Sequence, residues 1–516
     1  MSLDVLFINP GNAKKIYQDL AKDYSAIETP TWALLLAESC RSVGHDVAIL
    51  DANAERLSDT VVIQRIKNLN PRLICFVVYG QNPNSGTVNM SGTCALASEI
   101  KKAGINIPIS IVGSHVQSLP YETLTNEKDI DIIFANEGVY ALRNLLEKED
   151  LHDVDELSTV RGIGFRRQGE AFLTPPERVV PQSRMDTDLP GYAWDLLPYK
   201  EKPLDLYRAP MWHADYIQEN RFPYAALYTS LGCMFKCSFC MINILNRDNN
   251  DPIGVASNYS GMRFWSPEFI IGEFDKLYEM GVRTLRISDE MFLLNKKYYV
   301  PLCEMLKERG YGENLNMWAY SRIDTVRKPE NLTLVREAGI RWLCLGIESG
   351  DKNVRLQVTK GRFEDVDIRQ VVKMVHDADI EIIGNYLFGL PGDDRESMKK
   401  TFDLSLELCT LAWNAYAAMA LPGSLLYKEA VEAGHKMPDD YAGYSFHSYN
   451  TQPLPTEHLS PAEILKFRDE AWLEYHTYEP FLQKVENKHG KIARENIEEM
   501  TKVKLKRKIL EKNIQI

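Results

Sequence analysis

The stretch TSLGCMFKCSFC, residues 229–240, follows the apolar run YAALY at 224–228 and decides how the rest of the chain is read. It holds Cys233, Cys237 and Cys240 in a Cys-x3-Cys-x2-Cys spacing, three of the nine cysteines in the chain. A structural zinc site takes four ligands, usually as two separated pairs, and the sequence has no second Cys-x2-Cys or His-x3-His pair. A redox pair built from CSFC at 237–240 leaves Cys233 without a role. An iron–sulfur cubane held by three thiolates keeps one iron with an open coordination position, and such a position can bind and activate a small molecule.

Outward from this loop, strand patterns and helical patterns alternate. Strands are predicted at 224–230, 283–288, 315–320, 341–347, 380–388 and 414–420, separated by helical patterns such as SPEFIIGEFDKLYEMG and FEDVDIRQVVKMVHDADI. This alternation implies parallel strands joined by right-handed crossovers, with chemistry at the C-terminal ends of the strands. The cysteine loop falls at that face. So do Asp289 and Glu290 after the second strand, Arg322 after the third, Glu348, Ser349 and Arg355 after the fourth, and Gly389 after the fifth.

The three-cysteine spacing, with Phe239 before the last cysteine, resembles the signature of the radical S-adenosylmethionine (SAM) family. That resemblance implies a partial six-fold barrel at 221–425 and a 4Fe–4S cluster on Cys233, Cys237 and Cys240. It also implies SAM held at the same face and cleaved to a 5′-deoxyadenosyl radical. An acidic segment such as Asp289-Glu290 would take the SAM ammonium, although the family's two glycines are missing there. Glu348 suits the ribose diol, Arg322 or Arg355 the carboxylate, and the Gly389 turn the approach of backbone to a planar base. An electron from an external donor such as flavodoxin or ferredoxin is implied with them.

Residues 1–150 read as a second α/β unit. Strands at 4–8, 46–50, 72–78, 107–112 and 130–135, with helices at about 30–43, 59–69, 92–103 and 138–148, predict a doubly wound parallel sheet. Its ligand crevice lies beyond the carboxyl ends of the strands, at loops that contain no GxGxxG and no phosphate loop, which disfavours a dinucleotide or ATP. VGSHVQSLP and ANEGVYAL resemble recurring segments of the cobalamin-binding domain of cobalamin-dependent radical SAM enzymes. The resemblance implies that Gln81, Asn82, Ser85, Gly113, Ser114, His115 and Glu137 line cobalamin. No Asp-x-His-x-x-Gly occurs, so the lower cobalt face is expected to lack a histidine.

Composition sets the remaining bounds. A net charge of −12 argues against a nucleic-acid-binding surface. No apolar run reaches a membrane span, and the N-terminus has no signal-peptide pattern, so a cytoplasmic protein with reduced thiols is expected. Cys40, Cys75, Cys94, Cys303, Cys344 and Cys409 lie in apolar or helical patterns and read as small core residues. Residues 151–220 read as a hairpin around RQGE and a linker rich in Pro, Asp and aromatics. Residues 426–516 read as a helical extension, with a Tyr- and His-bearing loop at 439–455 that covers substrate or wraps the fold, and a basic cluster at 502–507 on a solvated helix face. The function implied is a cobalamin-dependent radical SAM methyltransferase acting on an unactivated carbon or phosphorus centre of a small molecule. The alternative keeps both cofactors and performs a cyclisation, ring contraction or rearrangement. A different class, a redox protein with a merely electron-carrying cluster, is disfavoured because three thiolates would leave that cluster poorly protected.

Overall fold

The computed structural model describes residues 3–511 except 12, 81–82, 203, 205, 210–220, 327 and 360–365. The N-terminal sheet contains β1 (Val5–Asn9), β2 (Val47–Asp51), β3 (Leu73–Val77), β4 (Ile109–Val112), β5 (Ile132–Phe134), β6 (Ile163–Arg167) and β7 (Glu170–Leu173). Its order is β2-β1-β3-β4-β5-β6-β7. The first five strands are parallel, and the last two add antiparallel. The hairpin expected around Arg167-Gln168-Gly169-Glu170 is present as β6 and β7. It extends the sheet past residue 150 and covers what would otherwise be the exposed edge of β5. Helix Gly86–Lys102 starts six residues earlier than its sequence pattern predicts, because the loop after β3 turns directly into it.

Strand alternation puts successive residues on opposite faces of this sheet. Leu6, Ile8, Ile74 and Phe76 face one buried cluster with Val62, Ile66 and Met90. Val5, Phe7, Leu73 and Cys75 face another, which runs on without a break into the second sheet. The two units therefore share a core.

The second sheet has β8 (Tyr224–Leu227), β11 (Thr284–Ile287), β12 (Asn316–Arg322), β13 (Ile340–Glu348), β14 (Glu381–Phe388) and β15 (Ala412–Ala417), all parallel, in the order β15-β14-β13-β12-β11-β8. This is the expected partial six-stranded barrel. The predicted first strand is split: after β8 the chain breaks off, and β9 (Ser230–Cys233) pairs antiparallel with β10 (Gly261–Phe264) in a separate ribbon. Cys233 is the last residue of that ribbon strand.

The edge strand β8 is sealed by side chains. Thr29 Oγ1 donates to the carbonyl of Ala226 at 3.0 Å and accepts from its N–H at 2.9 Å. Tyr199 donates to the carbonyl of Tyr224 at 2.7 Å, and the Tyr192 hydroxyl bonds both backbone groups of Tyr228. The aromatic segment after the hairpin, expected as a linker across the seam, thus completes a hydrogen-bonding edge.

The C-terminal region is helical, with helices Pro461–His476, Glu479–His489 and Lys491–Thr501. Its loop at 439–455 wraps both units. Tyr441 donates to Glu127 at 2.8 Å, Gln18 donates to the carbonyl of His447 at 2.7 Å, and the N–H of Leu454 donates to the carbonyl of Ala418 at 3.0 Å. The basic cluster at 502–507 corrects its sequence reading. Residues 503–507 are not helical, and Arg507 is buried, forked onto Asp469 at 2.9 Å and donating to the carbonyls of Ser448 and Phe446. Charge spacing suggested a solvated face, but one arginine is the clamp that holds the 439–455 loop. All nine cysteines are free; Cys40, Cys75, Cys303 and Cys344 are buried, but Cys94 and Cys409 are only half-buried. Cys409 caps a helix in the left-handed region at φ 42°, which periodicity cannot foresee. Among the described residues, no helix is long and apolar enough to cross a membrane.

Candidate functional site

The cysteine loop lies over the C-terminal ends of β8, β11, β12 and β13. Cys233 is buried, and Cys237 and Cys240 are half-buried. Each sulfur has a donor close by: the N–H of Phe235 is 3.4 Å from Cys233 Sγ, Arg322 Nη1 is 3.8 Å from Cys237 Sγ, and Asn84 Nδ2 is 3.9 Å from Cys240 Sγ. Burial pushes the Cys233 thiol up to about 12 and that of Cys237 up to about 11. They are thiolates only with a cation beside them, as an iron–sulfur cluster provides. Among the described residues, no three metal-ligating side chains converge on one point. A cubane does not require that, because each thiolate takes a different iron corner. The donors around each sulfur fit such a group.

The two carboxylates after β11 divide their tasks. Asp289 is fully engaged: it accepts from the Thr229 N–H, the Thr229 hydroxyl and the Ser230 hydroxyl, each at 2.6 Å. It pins the end of β8 to the end of β11. Glu290 Oε1 is buried with no hydrogen-bond partner among the described residues. Burial, only partly offset by Arg286, pushes its carboxyl up to about 8. An unmatched buried acceptor here is what a cationic ligand group would satisfy.

Arg322 lies over the Phe235 ring, its Cζ 3.5 Å from the centroid, and is forked onto Asp324 by two 2.6 Å bonds. Asp324 takes the guanidinium edge that the sequence reading gave to a ligand carboxylate. Glu348 sits at a β-bulge between β13 and β14 with φ of +64°. A non-glycine residue in that region costs about 1–3 kcal/mol and is kept where the site requires it. A Cβ on Gly346 would fall 2.5 Å from Glu348 Oε1, so the glycine makes room for the carboxyl. Burial raises that carboxyl to about 7, against the lowering by Arg322.

The other sequence candidates hold the frame. The Ser349 hydroxyl lies 3.1 Å from that of Thr401 and accepts from the N–H of Asp351. Arg355 donates to the carbonyl of Ser349. Gly389 has φ of +76°, and a Cβ there would meet Ile464 at 2.5 Å. The Cβ side of this glycine is therefore filled by the C-terminal helix Pro461–His476.

On the N-terminal sheet, Gln81 and Asn82 lie outside the described residues. Ser85 ends the short turn Pro83–Ser85 that leads into helix Gly86–Lys102. Gly113 passes so close to β3 that a Cβ would lie 2.7 Å from the Val78 carbonyl, and Ser114 donates to the carbonyl of Pro83 at 2.5 Å. His115 is buried, its Nδ1 3.1 Å from the Thr87 hydroxyl and its ring edge-on to Tyr441 at 5.1 Å. Burial lowers its pKa to about 4, so it is a neutral imidazole. Both Glu137 oxygens are engaged, with the Val180 N–H at 2.6 Å and with Arg263 Nη2 at 2.7 Å. Glu137 ties the two units together at the seam.

Several residues that the sequence did not single out matter as much. Arg286 on β11 pairs with Glu28 at 3.0 Å and lies over the Tyr320 ring at 4.8 Å. Tyr17, Tyr228, Tyr320 and Tyr416 all lie within its electrostatic reach. With the Asn414–Asn385 amide pair at 3.1 Å, they give the barrel interior a polar, tyrosine-rich lining. Only the alternation of side chains along correctly registered strands would have revealed it.

Comparison with known proteins places this geometry. A model described as the B12 binding domain matches residues 18–146, and one described as the Radical SAM superfamily matches residues 227–405. An uncharacterized methyltransferase of Pyrococcus horikoshii is 24% identical over 462 residues, covering 89% of this chain and 90% of that protein. The anaerobic magnesium-protoporphyrin IX monomethyl ester cyclase of Cereibacter sphaeroides is 22% identical over 461 residues, covering 86% of this chain and 66% of that protein. The radical S-adenosylmethionine methyltransferase TsrM of Kitasatospora setae, solved with cobalamin and a [4Fe-4S] cluster, shares the fold. Its TM-score is 0.64 at 15% identity, over 98% of this chain and 100% of that one.

Proposed function

We propose that this chain, in which a B12-binding domain is joined to a radical SAM domain and whose similar proteins include methyltransferases, is a cobalamin-dependent radical SAM methyltransferase, and that its residues serve the reaction as follows. The reaction is methylation of an unactivated carbon or phosphorus atom of a polar small molecule held in the barrel interior. One observation carries this reading: the loop after β3 of the B12-binding domain lies directly on the cysteine loop, with Asn84 bonded to the N–H of Met241 at 2.9 Å. Two cofactor sites that abut in this way can serve one substrate atom, because reacting groups need a separation of roughly 3–3.5 Å.

When bound, the cluster and SAM supply a radical that removes hydrogen from the substrate, and cobalamin supplies the methyl group. The residues do the rest. Cys233, Cys237 and Cys240 hold the cluster. Glu290 offers its unmatched oxygen to the SAM ammonium, while Asp289 fixes the strand ends beneath it. Glu348, held in a strained conformation, would take the ribose hydroxyls. Arg322 keeps a fixed positive charge beside Cys237 and is oriented by Asp324. Ser85, Gly113 and Ser114 shape the crevice for the corrin. His115, hydrogen-bonded to Thr87 and edge-on to Tyr441, would line the cobalamin crevice as a neutral imidazole. Arg286, Glu28, Tyr320 and Tyr416 would orient the substrate and exclude water. Met234 is 56% exposed and Lys236 also reaches solvent, so an external flavodoxin or ferredoxin can approach the cluster from that side.

The test offers the anaerobically reconstituted enzyme a pool of polar metabolites together with methyl-labelled SAM. Mass spectrometry should find the label in one small polar product, and Arg286→Met should abolish it while iron and cobalamin contents stay the same. Steady formation of 5′-deoxyadenosine with no labelled product would favour a non-methylating reaction, as in the cyclase relative.

A further inference from the structure

Asn84 stands in the short turn Pro83–Ser85 of the B12-binding domain, yet its side chain makes its contacts in the radical SAM domain. Its Oδ1 accepts from the Met241 N–H at 2.9 Å, and its Nδ2 lies 3.9 Å from Cys240 Sγ. The first bond fixes the amide orientation, because a backbone N–H can only donate, so the NH₂ end must face the sulfur. The other end of the loop is tied to the same domain by a longer path. The Cys233 N–H donates to Asn243 Oδ1 at 2.8 Å, Asn246 Nδ2 lies 3.4 Å from that same oxygen, and Arg263 Nη2 reaches Asn246 at 3.2 Å and Glu137 at 2.7 Å. Both ends of the cysteine loop are therefore fastened to the B12-binding domain, one directly and one through three side chains.

We infer that Asn84 is a positioning residue of the cluster, reaching across from the B12-binding domain to donate to the third cysteine sulfur while gripping the peptide that follows it. The inference rests on the reading of Cys233, Cys237 and Cys240 as cluster ligands. A donor to a ligand sulfur withdraws electron density and favours the reduced cluster, so it raises the reduction potential. The donors at Cys233 and Cys237, the Phe235 N–H and Arg322, come from the radical SAM domain itself. Asn84 makes the potential of the cluster depend on the loop that also borders the cobalamin crevice.

The holoenzyme carries the test. Iron content, the EPR spectrum of the reduced cluster and its midpoint potential are compared for wild type, Asn84→Asp and Asn84→Ala. Asn84→Asp keeps the acceptor for the Met241 N–H and puts a carboxylate oxygen where the donor stood. It should load about four irons per chain, with altered g-values and a potential shifted to more negative values. Asn84→Ala should shift the potential in the same direction but less, and load more slowly. A variant that loses its iron while its far-UV circular dichroism is unchanged also supports the positioning role. Full iron with wild-type spectrum and potential in both variants would overturn the inference. A wild-type protein that takes up no iron would instead refute the cluster assignment beneath it.

Discussion

Replacing Glu290 by glutamine should stabilise the cluster-free protein while impairing SAM binding, and the gain should depend on pH in a specific way. The carboxyl is raised from 4.5 to about 8 by burial, so the folded state holds its proton where the unfolded state has lost it. Stability from this group is therefore fully present below about pH 4.5 and is lost as pH rises towards 8. At roughly 1.4 kcal/mol per unit, wild type loses about 1 kcal/mol at pH 5 and about 4 at pH 8. Glutamine keeps the shape and carries no charge, so its own cost of leaving a polar atom unmatched is the same at both values. The difference in unfolding free energy, variant minus wild type, should rise by about 3 kcal/mol between pH 5 and pH 8. Urea unfolding followed by circular dichroism measures it, and equilibrium dialysis with SAM measures the binding loss. A variant whose stability difference is the same at both pH values would refute the reasoning, because Glu290 would then be ionised at no cost and its open oxygen would be no signature of a missing cation.

Three further outcomes are expected. His115, lowered from 6.5 to about 4, contributes stability that is present above pH 6.5 and is lost as pH falls through 4, about 3 kcal/mol in all; His115→Gln should flatten the acid limb of the stability profile. Gly389→Ala combines left-handed strain of about 1–2 kcal/mol with overlap against Ile464 of about 1–3 kcal/mol. A double-mutant cycle with Ile464→Ala should return less than the sum of the two single losses. Glu137→Ala leaves Arg263 charged and buried at the seam and should cost about 3–5 kcal/mol in denaturant unfolding, whereas Lys399→Ala, from an exposed helix pair, should cost under about 0.5 kcal/mol.

The architecture was legible because its signals are local. Alternating strand and helix patterns placed all six barrel strands, and the cysteine spacing marked the face where the candidate residues gather. What sequence could not supply was occupancy. Asp289 and Glu290 are equivalent in the string, and only the positions of Thr229 and Ser230 show that the first is spent on holding strands and the second is open. The side chain that fills the Cβ side of Gly389, Ile464, lies 75 positions further along the sequence. Arg322 and Asp324 are two residues apart in the string, and only the structure shows the fork between them. Asn84 and Cys240 are 156 residues apart, and no periodicity connects a loop of one sheet to the thiol of another. Arg507 shows the same limit for charge, since a basic run reads as solvated unless the half-buried aspartate that receives it is known.

The most direct test of the central claim counts what becomes of SAM. The full-length protein, reconstituted anaerobically with iron, sulfide and cobalamin, is incubated with a low-potential reductant and methyl-labelled SAM. S-adenosylhomocysteine and 5′-deoxyadenosine are then quantified with and without cobalamin. A methyltransferase predicts S-adenosylhomocysteine that appears only with cobalamin, with the label recovered in the cobalamin fraction. It also predicts that the Cys233→Ala, Cys237→Ala, Cys240→Ala triple variant makes no 5′-deoxyadenosine. Formation of 5′-deoxyadenosine by a protein loaded with both cofactors, with no S-adenosylhomocysteine at all, would contradict it.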